Sequence, residues 1–254
     1  MGRAGTTGRR RGPGVPRRGL GPGLQRRPQE VSGPPDKVYR PGPQGRRIHG
    51  GSIVMAIDEK KIIEGVSQLE VTGNEQGLIP AFGVYLTNGT ASFYNRINYE
   101  FERTLGPSFH RETRLILINA AWVCGYNTFR GIQTSVEWEG LIKPMVENET
   151  DKLHASVAVC NALGWSKWRI TDITPGQRAV FRADEGYEAE LYKAQYGKAD
   201  HPVCYMLSAV ASALNDLSYG TEYPTGIYTF DTVETKCRAM GDPYCEFVTT
   251  RKKQ

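Results

Sequence analysis

The chain has 254 residues, a formal charge of +5 and five cysteines. The charge averages two unlike parts: residues 1–54 hold 12 Lys and Arg against 2 acids, and residues 55–254 hold 20 against 25. No stretch approaches the roughly 20 apolar residues of a membrane span, which excludes a helical membrane protein, and about 200 residues suit one domain with its own core.

In chain order, residues 1–54 come first, with 8 of the 15 prolines and 13 of the 29 glycines and no periodic hydrophobicity. Such a segment buries too little apolar surface to offset its ordering entropy, so it is expected to be disordered. It lacks the apolar centre of a secretory signal. Its arginine pairs would suit nucleic acid, but Tyr39 is its single aromatic residue, unlike the interleaved aromatics of a single-strand binder. Gly50-Gly51 followed by Met55-Ala-Ile-Asp-Glu reads as a ribosome-binding sequence and a bacterial start. Residues 1–54 are therefore read as translated upstream sequence, and nucleic acid is a partner only if the tail belongs to the native protein.

From Met55 on, Asp58–Leu69 has helical spacing. Leu78–Leu86 reads as a strand broken at Pro80 and closed by an Asn88-Gly89 turn. Ala91–Leu105 is a helix with Phe93, Ile97, Phe101 and Leu105 on one side, and Gly106-Pro107 stops it. His110 to about Val146 is helical with a break at Gly125 or Gly140. Lys152–Leu163 suits either helix or strand. Trp165–Ile173 and Arg178–Arg182 form an antiparallel pair across Thr174-Pro175-Gly176. Tyr187–Tyr196 is a short helix ended by Gly197. Asp200-His201-Pro202 caps a helix to Tyr219. Tyr228–Thr235 and Glu246–Thr250 are strands. Helices and antiparallel strands in mixed order give an α+β fold, an antiparallel sheet packed with helices.

Cys204, Glu234, Cys237 and Cys245 are the residues that carry chemistry. Glu-x-x-Cys followed by a third cysteine across a Gly-Asp-Pro turn offers three thiolates and a carboxylate, a zinc-type donor set. Spacing alone leaves two readings open, a metal site or buried free thiols. Five thiols with three grouped fit a reducing cytoplasm better than a disulfide scaffold. Cys124 and Cys160 lie in apolar sequence and read as inert. His201, beside Cys204, reads as a cap or as a residue supporting a ligand. No Ser-His-Asp arrangement and no dinucleotide loop is present, so no catalytic residue is assigned.

The stretch from Cys204 to Leu214, and Val233-Glu234-Thr-Lys-Cys237-Arg-Ala-Met-Gly-Asp-Pro-Tyr-Cys245-Glu-Phe-Val, resemble the 4-vinyl reductase domain. That domain also forms the effector-sensing part of bacterial activators responding to phenol and xylene-like aromatics. Leu163-Gly-Trp165-Ser-Lys-Trp168 and Phe181-Arg-Ala-Asp-Glu-Gly-Tyr187 carry the likeness further. It covers residues 135–250 well, and residues 55–134 look more loosely like the family's helical, dimer-forming part. The resemblance implies a structural zinc held by Cys204, Glu234, Cys237 and Cys245. Four protein ligands leave no position for an activated water. It also places an aromatic residue, Tyr187, near a bound ligand. The link from Gly220 to Val233 is longer than the sensor pattern, which would reshape the loop over the pocket.

Trp165 and Trp168 stand three apart, so on a strand they face opposite sides. With His154 and Phe181 they complete the candidate pocket, and plain packing is the alternative for each. The favoured reading is a stand-alone, homodimeric, zinc-stabilised module that binds a small aromatic or hydrocarbon-like molecule and reports to a separate regulatory or enzyme partner. Two alternatives are an enzyme or accessory subunit in aromatic or tetrapyrrole metabolism, and a structural subunit of a larger complex. The last is carried by a resemblance of the same fold to small trafficking-complex subunits.

Overall fold

A computed structural model describes residues 57–253 except 70 and 88; the tail read as disordered lies outside the described residues. The first helix, α1 (Glu59–Ser67), is capped by the Asp58 carboxylate, which accepts the Lys61 N–H, and it buries Ile62 and Val66. Next comes a hairpin of two short strands, β1 (Ile79–Ala81) and β2 (Val84–Leu86). Pro80 does not break it: the chain reverses at Phe82 and Gly83, both at positive φ, as a two-residue hairpin turn requires. The close approach of Gly131 to Val84 seats this hairpin on the third helix.

Helix α2 (Ala91–Leu105) has the expected ends, and its apolar side is not the buried one. Phe93, Ile97, Phe101 and Leu105 are exposed, and the buried face carries Asn95, Asn98, Tyr99 and Glu102. Partners make this possible. Asn95 donates to the Glu188 carbonyl, and the Tyr99 hydroxyl to the Val203 carbonyl at 2.9 Å. Helix α3 (His110–Gln133) passes through Gly125 without interruption. A Cβ there would lie 2.9 Å from Val210, so the glycine permits close helix packing. The break falls at Thr134-Ser135 instead, followed by a π-type turn over Trp138–Ile142 that contains Gly140. The ambiguous segment after it is a helix, α4 (Glu149–Ala162), started by the Asn148 side chain.

The remaining elements form the sheet and its central helix. Strands β3 (Ser166–Thr174), β4 (Arg178–Gly186), β5 (Phe230–Lys236) and β6 (Cys245–Arg251) lie in the order β3-β4-β6-β5, all antiparallel. Helix α5 (Tyr187–Tyr196) follows β4 directly. Helix α6 (Tyr205–Tyr219) begins three residues later than Pro202 suggests, with Cys204 at its N-cap. It is buried along most of its length, between α3 on one side and β5 and β6 on the other. Leu207, Val210 and Leu214 are fully buried and stabilise the fold by roughly 2 kcal/mol each. The architecture is α+β, an antiparallel sheet packed with helices. Among the described residues, no helix is long and apolar enough to cross a membrane.

The loop between α6 and β5 packs on α3. Tyr223 stacks on Tyr126 and donates to Asn127, and Tyr228 lies edge-on to Trp122 and donates to Asn119. The Asp216 carboxylate at the end of α6 anchors it, accepting from Trp122 Nε1 and the N–H groups of Tyr228 and Phe230.

Candidate metal centre

Three neighbouring segments bring one donor set together. Cys204 sits at the N-cap of α6, Glu234 near the end of β5, Cys237 just past it and Cys245 at the start of β6. Along β5, Phe230 and Glu234 point inward and Asp231 and Val233 outward. Glu234 therefore occupies a position that alternation reserves for an apolar side chain. A bulge between Glu234 and Lys236 shifts the register there. After Cys237 a single helical turn, Arg238–Met240, and left-handed Gly241 (φ +104°) return the chain to Cys245. Asp242, read from sequence only as part of a reversal, accepts the Cys237 N–H at 2.8 Å and locks the turn.

All four side chains are buried, and one donor atom from each lies within 4.8 Å of the others. Cys204 Sγ and Cys245 Sγ are 3.7 Å apart, too far for a disulfide. Two sulfurs bound to one tetrahedral ion at about 2.3 Å would stand roughly 3.8 Å apart. Glu234 Oε2 accepts the Cys204 N–H at 3.0 Å, and its buried Oε1 accepts no hydrogen bond. A buried carboxylate oxygen left without a partner is costly, and a cation among the sulfurs would satisfy it. The donor chemistry and the spacing both fit a zinc-type ion.

The electrostatics agree. Hydrogen bonds from the Cys204 and Cys245 thiols hold Cys237 far below the ordinary thiol value. Burial, then its neighbouring thiols, push Cys204 well up, and burial and the Cys237 charge push Glu234 up. Cys204 pulls Cys245 down, but Cys237 and burial outweigh it. Thiol and carboxylate ligands bind a divalent ion in deprotonated form, so metal binding here would release protons.

The candidate pocket residues are less unified. Trp168 and Phe181 are fully buried against each other, ring centroids 5.3 Å apart, with Phe247 edge-on to the indole. Trp168 Nε1 is buried without an acceptor. Trp165 precedes β3 and lies edge-on to Phe129. Trp165 lies in the bend before β3, where the strand alternation behind the expected opposite facing does not apply, and both tryptophans pack on the core. Tyr187 opens α5 and packs edge-on to Tyr94 of α2. His154 is half-buried on α4, and burial lowers its pKa. None of these five residues lines the surface cleft beside Tyr126 and Tyr223 or the one beside His110 and His201.

Sequence reasoning passed over Glu188. It is fully buried on α5, and its carboxylate accepts the N–H groups of Met206 and Leu207 at 2.9 and 3.0 Å, capping the start of α6. Burial raises it to about 8. A glutamate in the first turn of a short helix ordinarily reads as solvated, so nothing local marked it. Cys124 is exposed, not enclosed, while Cys160 is buried. His201 faces Glu102 of α2, so it neither caps α6 nor joins the thiol cluster.

No family model matches the chain. The uncharacterized protein MJ0855 of Methanocaldococcus jannaschii is 38% identical over 52 residues, a match spanning 20% of this chain and 20% of that protein. Among solved structures, the phenol-responsive sensory domain of the transcription activator PoxR with phenol aligns at a TM-score of 0.59. The identity is 15%, covering 76% of this chain and 90% of that one. A trafficking protein particle complex subunit 3 from Naegleria fowleri aligns at a TM-score of 0.46 and 10% identity, over 64% of this chain and 95% of that one. The likeness to the PoxR domain is one of fold: the described part of this chain shares its α+β architecture.

Proposed function

We propose that the chain is a zinc-stabilised, small-molecule-binding module of the 4-vinyl reductase type. It would sense an aromatic or hydrocarbon-like ligand and act through a separate regulatory or enzyme partner. The observation that carries the zinc is the buried Cys204, Glu234, Cys237 and Cys245 set with its orphaned carboxylate oxygen. The ion closes the junction of α6, β5 and β6, and its role is to hold the fold. Such sites contribute binding free energy on the order of 10 kcal/mol at neutral pH. Three thiols kept as ligands suit a reducing, cytoplasmic setting.

The sensing role rests on the shared fold with a phenol-responsive domain. A donor also waits inside: the Trp168 indole N–H is buried and unpaired, suited to a ligand oxygen. Tyr187, Trp165, His154 and Phe181 are the other proposed pocket residues, and a ligand at the indole would require the Trp168–Phe181 pair to part. Residues 55–134 are the dimer-forming part and residues 135–250 the binding part, with residues 1–54 an upstream appendage. A second copy as partner is supported by the exposed apolar stripe of α2 and by exposed Leu115 and Ile116 on α3.

Native mass spectrometry of the full chain, purified without chelator, tests this reading. One zinc per chain, a dimeric mass and a small additional mass are expected. Cys237→Ser should lose the zinc and at least about 3 kcal/mol of stability. A metal-free wild type, or a Cys237→Ser protein with full zinc content, would overturn it.

A further inference from the structure

We propose that Glu102, His110 and His201 form a second metal site, open to solvent, for a divalent first-row transition ion. The three come from the last turn of α2, the first residue of α3 and the loop before α6, and their donor atoms lie within 4.8 Å of one another. Two imidazoles converge on a single carboxylate oxygen. Glu102 Oε1 is 3.1 Å from His201 Nε2 and 3.8 Å from His110 Nε2. Donors bound at about 2.0–2.1 Å in a tetrahedron stand roughly 3.3–3.4 Å apart, and the two distances bracket that value.

The rest of the arrangement prepares Oε1 for an ion. Glu102 is only 3% exposed, and Oε1 accepts no aligned hydrogen bond. The other oxygen, Oε2, is held by the Tyr205 hydroxyl at 2.7 Å, which fixes the carboxylate with Oε1 turned toward the histidines. His201 Nδ1 meets Asp200 Oδ1 at 2.5 Å, which turns Nε2 toward Glu102 Oε1 and, at 3.3 Å, the Tyr205 hydroxyl. A carboxylate behind a histidine is the usual support for a metal-bound imidazole, setting both its tautomer and its orientation.

The site differs in kind from the thiol cluster. Two nitrogens and one oxygen suit zinc, iron(II), cobalt(II) or nickel(II) over a soft ion. Three protein ligands leave at least one position vacant. His110 and His201 both line a cleft of about 370 Å³, with Arg111 and Arg114 at its wall. The vacant position would therefore face solvent beside two guanidinium groups, which favour a small anionic oxygen donor such as a carboxylate or phenolate.

Cobalt(II) is the probe. The as-purified full chain is equilibrated with cobalt(II), freed of excess by gel filtration, and analysed for metals per chain. One cobalt per chain beyond the metal already present is expected, with weak visible bands and no intense sulfur-to-metal absorption. His110→Ala, at a half-exposed helix start, should lose that cobalt and keep its circular dichroism. His201→Asn should do the same, and Asp200→Asn should weaken binding about tenfold. A wild type that retains no extra cobalt overturns the site, as does equal retention by His110→Ala and His201→Asn. Because the thiol cluster is untouched in these variants, the result is independent of whether that cluster holds zinc.

Discussion

Asp216 concentrates in one carboxylate what a single buried side chain can decide. It is 1% exposed and receives three N–H donors, which tie the loop before β5 to α3. Burial raises its pKa to about 6, against the lowering by the Phe230 N–H and Trp122. The folded value lies above the unfolded one, so the folded state holds the extra proton between them. The stability this provides is complete below about pH 4, is lost as pH rises through about 6, and is constant beyond. Asp216→Asn stays neutral throughout. Relative to that variant, the wild type should lose about 1–1.5 kcal/mol between pH 5 and pH 7.5 in urea unfolding. A constant difference would mean that Asp216 does not titrate in this range. Glu234 teaches a complementary lesson. Its place in an ExxC pattern was legible in the sequence, but its orphaned Oε1 was not, because an unpaired lone pair is a property of the surroundings and not of the residue.

At the scale of elements, Gly125 and Gly140 look equivalent in the sequence, each a candidate break in a long helical segment. Packing separates them. Gly125 lets α3 approach α6, whereas a Cβ on Gly140 would meet nothing within 4 Å. Alanine favours a helix over glycine by about 1 kcal/mol, so propensity alone predicts that both substitutions stabilise. Gly125→Ala should instead destabilise by about 1–2 kcal/mol, because the close contact with Val210 must open. Gly140→Ala should be neutral or stabilising by about 0.5 kcal/mol. Denaturant midpoints of the pair check this, and equal shifts would refute the packing role. The ends of α2 and α5 match the sequence reading because Gly106 and Gly197 stop them locally. The inward face of α2 did not follow, because periodicity says which residues share a face and not which face has partners.

For the whole molecule, the consequence is a surface. Phe93, Ile97, Phe101 and Leu105 stand along one side of α2 in water, and Leu115 and Ile116 of α3 are exposed as well. If a second copy covers this side of α2, as proposed, Phe101→Lys should convert the dimer to a monomer without loss of zinc. Light scattering coupled to gel filtration at micromolar concentration reads both species. A wild type that is already monomeric would remove the dimer from the proposal.

The amino-acid sequence by itself determined the α+β class and the extent of most helices and strands, and it marked Cys204, Glu234, Cys237 and Cys245 as candidate metal ligands. The elements follow from local periods, caps and turns, and the candidates from a Glu-x-x-Cys pattern and a third cysteine across one reversal, with Cys204 brought to them by packing. Only the tertiary structure decided which face of α2 is buried, that Trp165 and Trp168 share one core, and that Glu102, His110 and His201 meet. Those outcomes depend on contacts between segments far apart in the chain. Their geometry is set by the packing of α2, α3, α6 and the sheet, which no local pattern encodes.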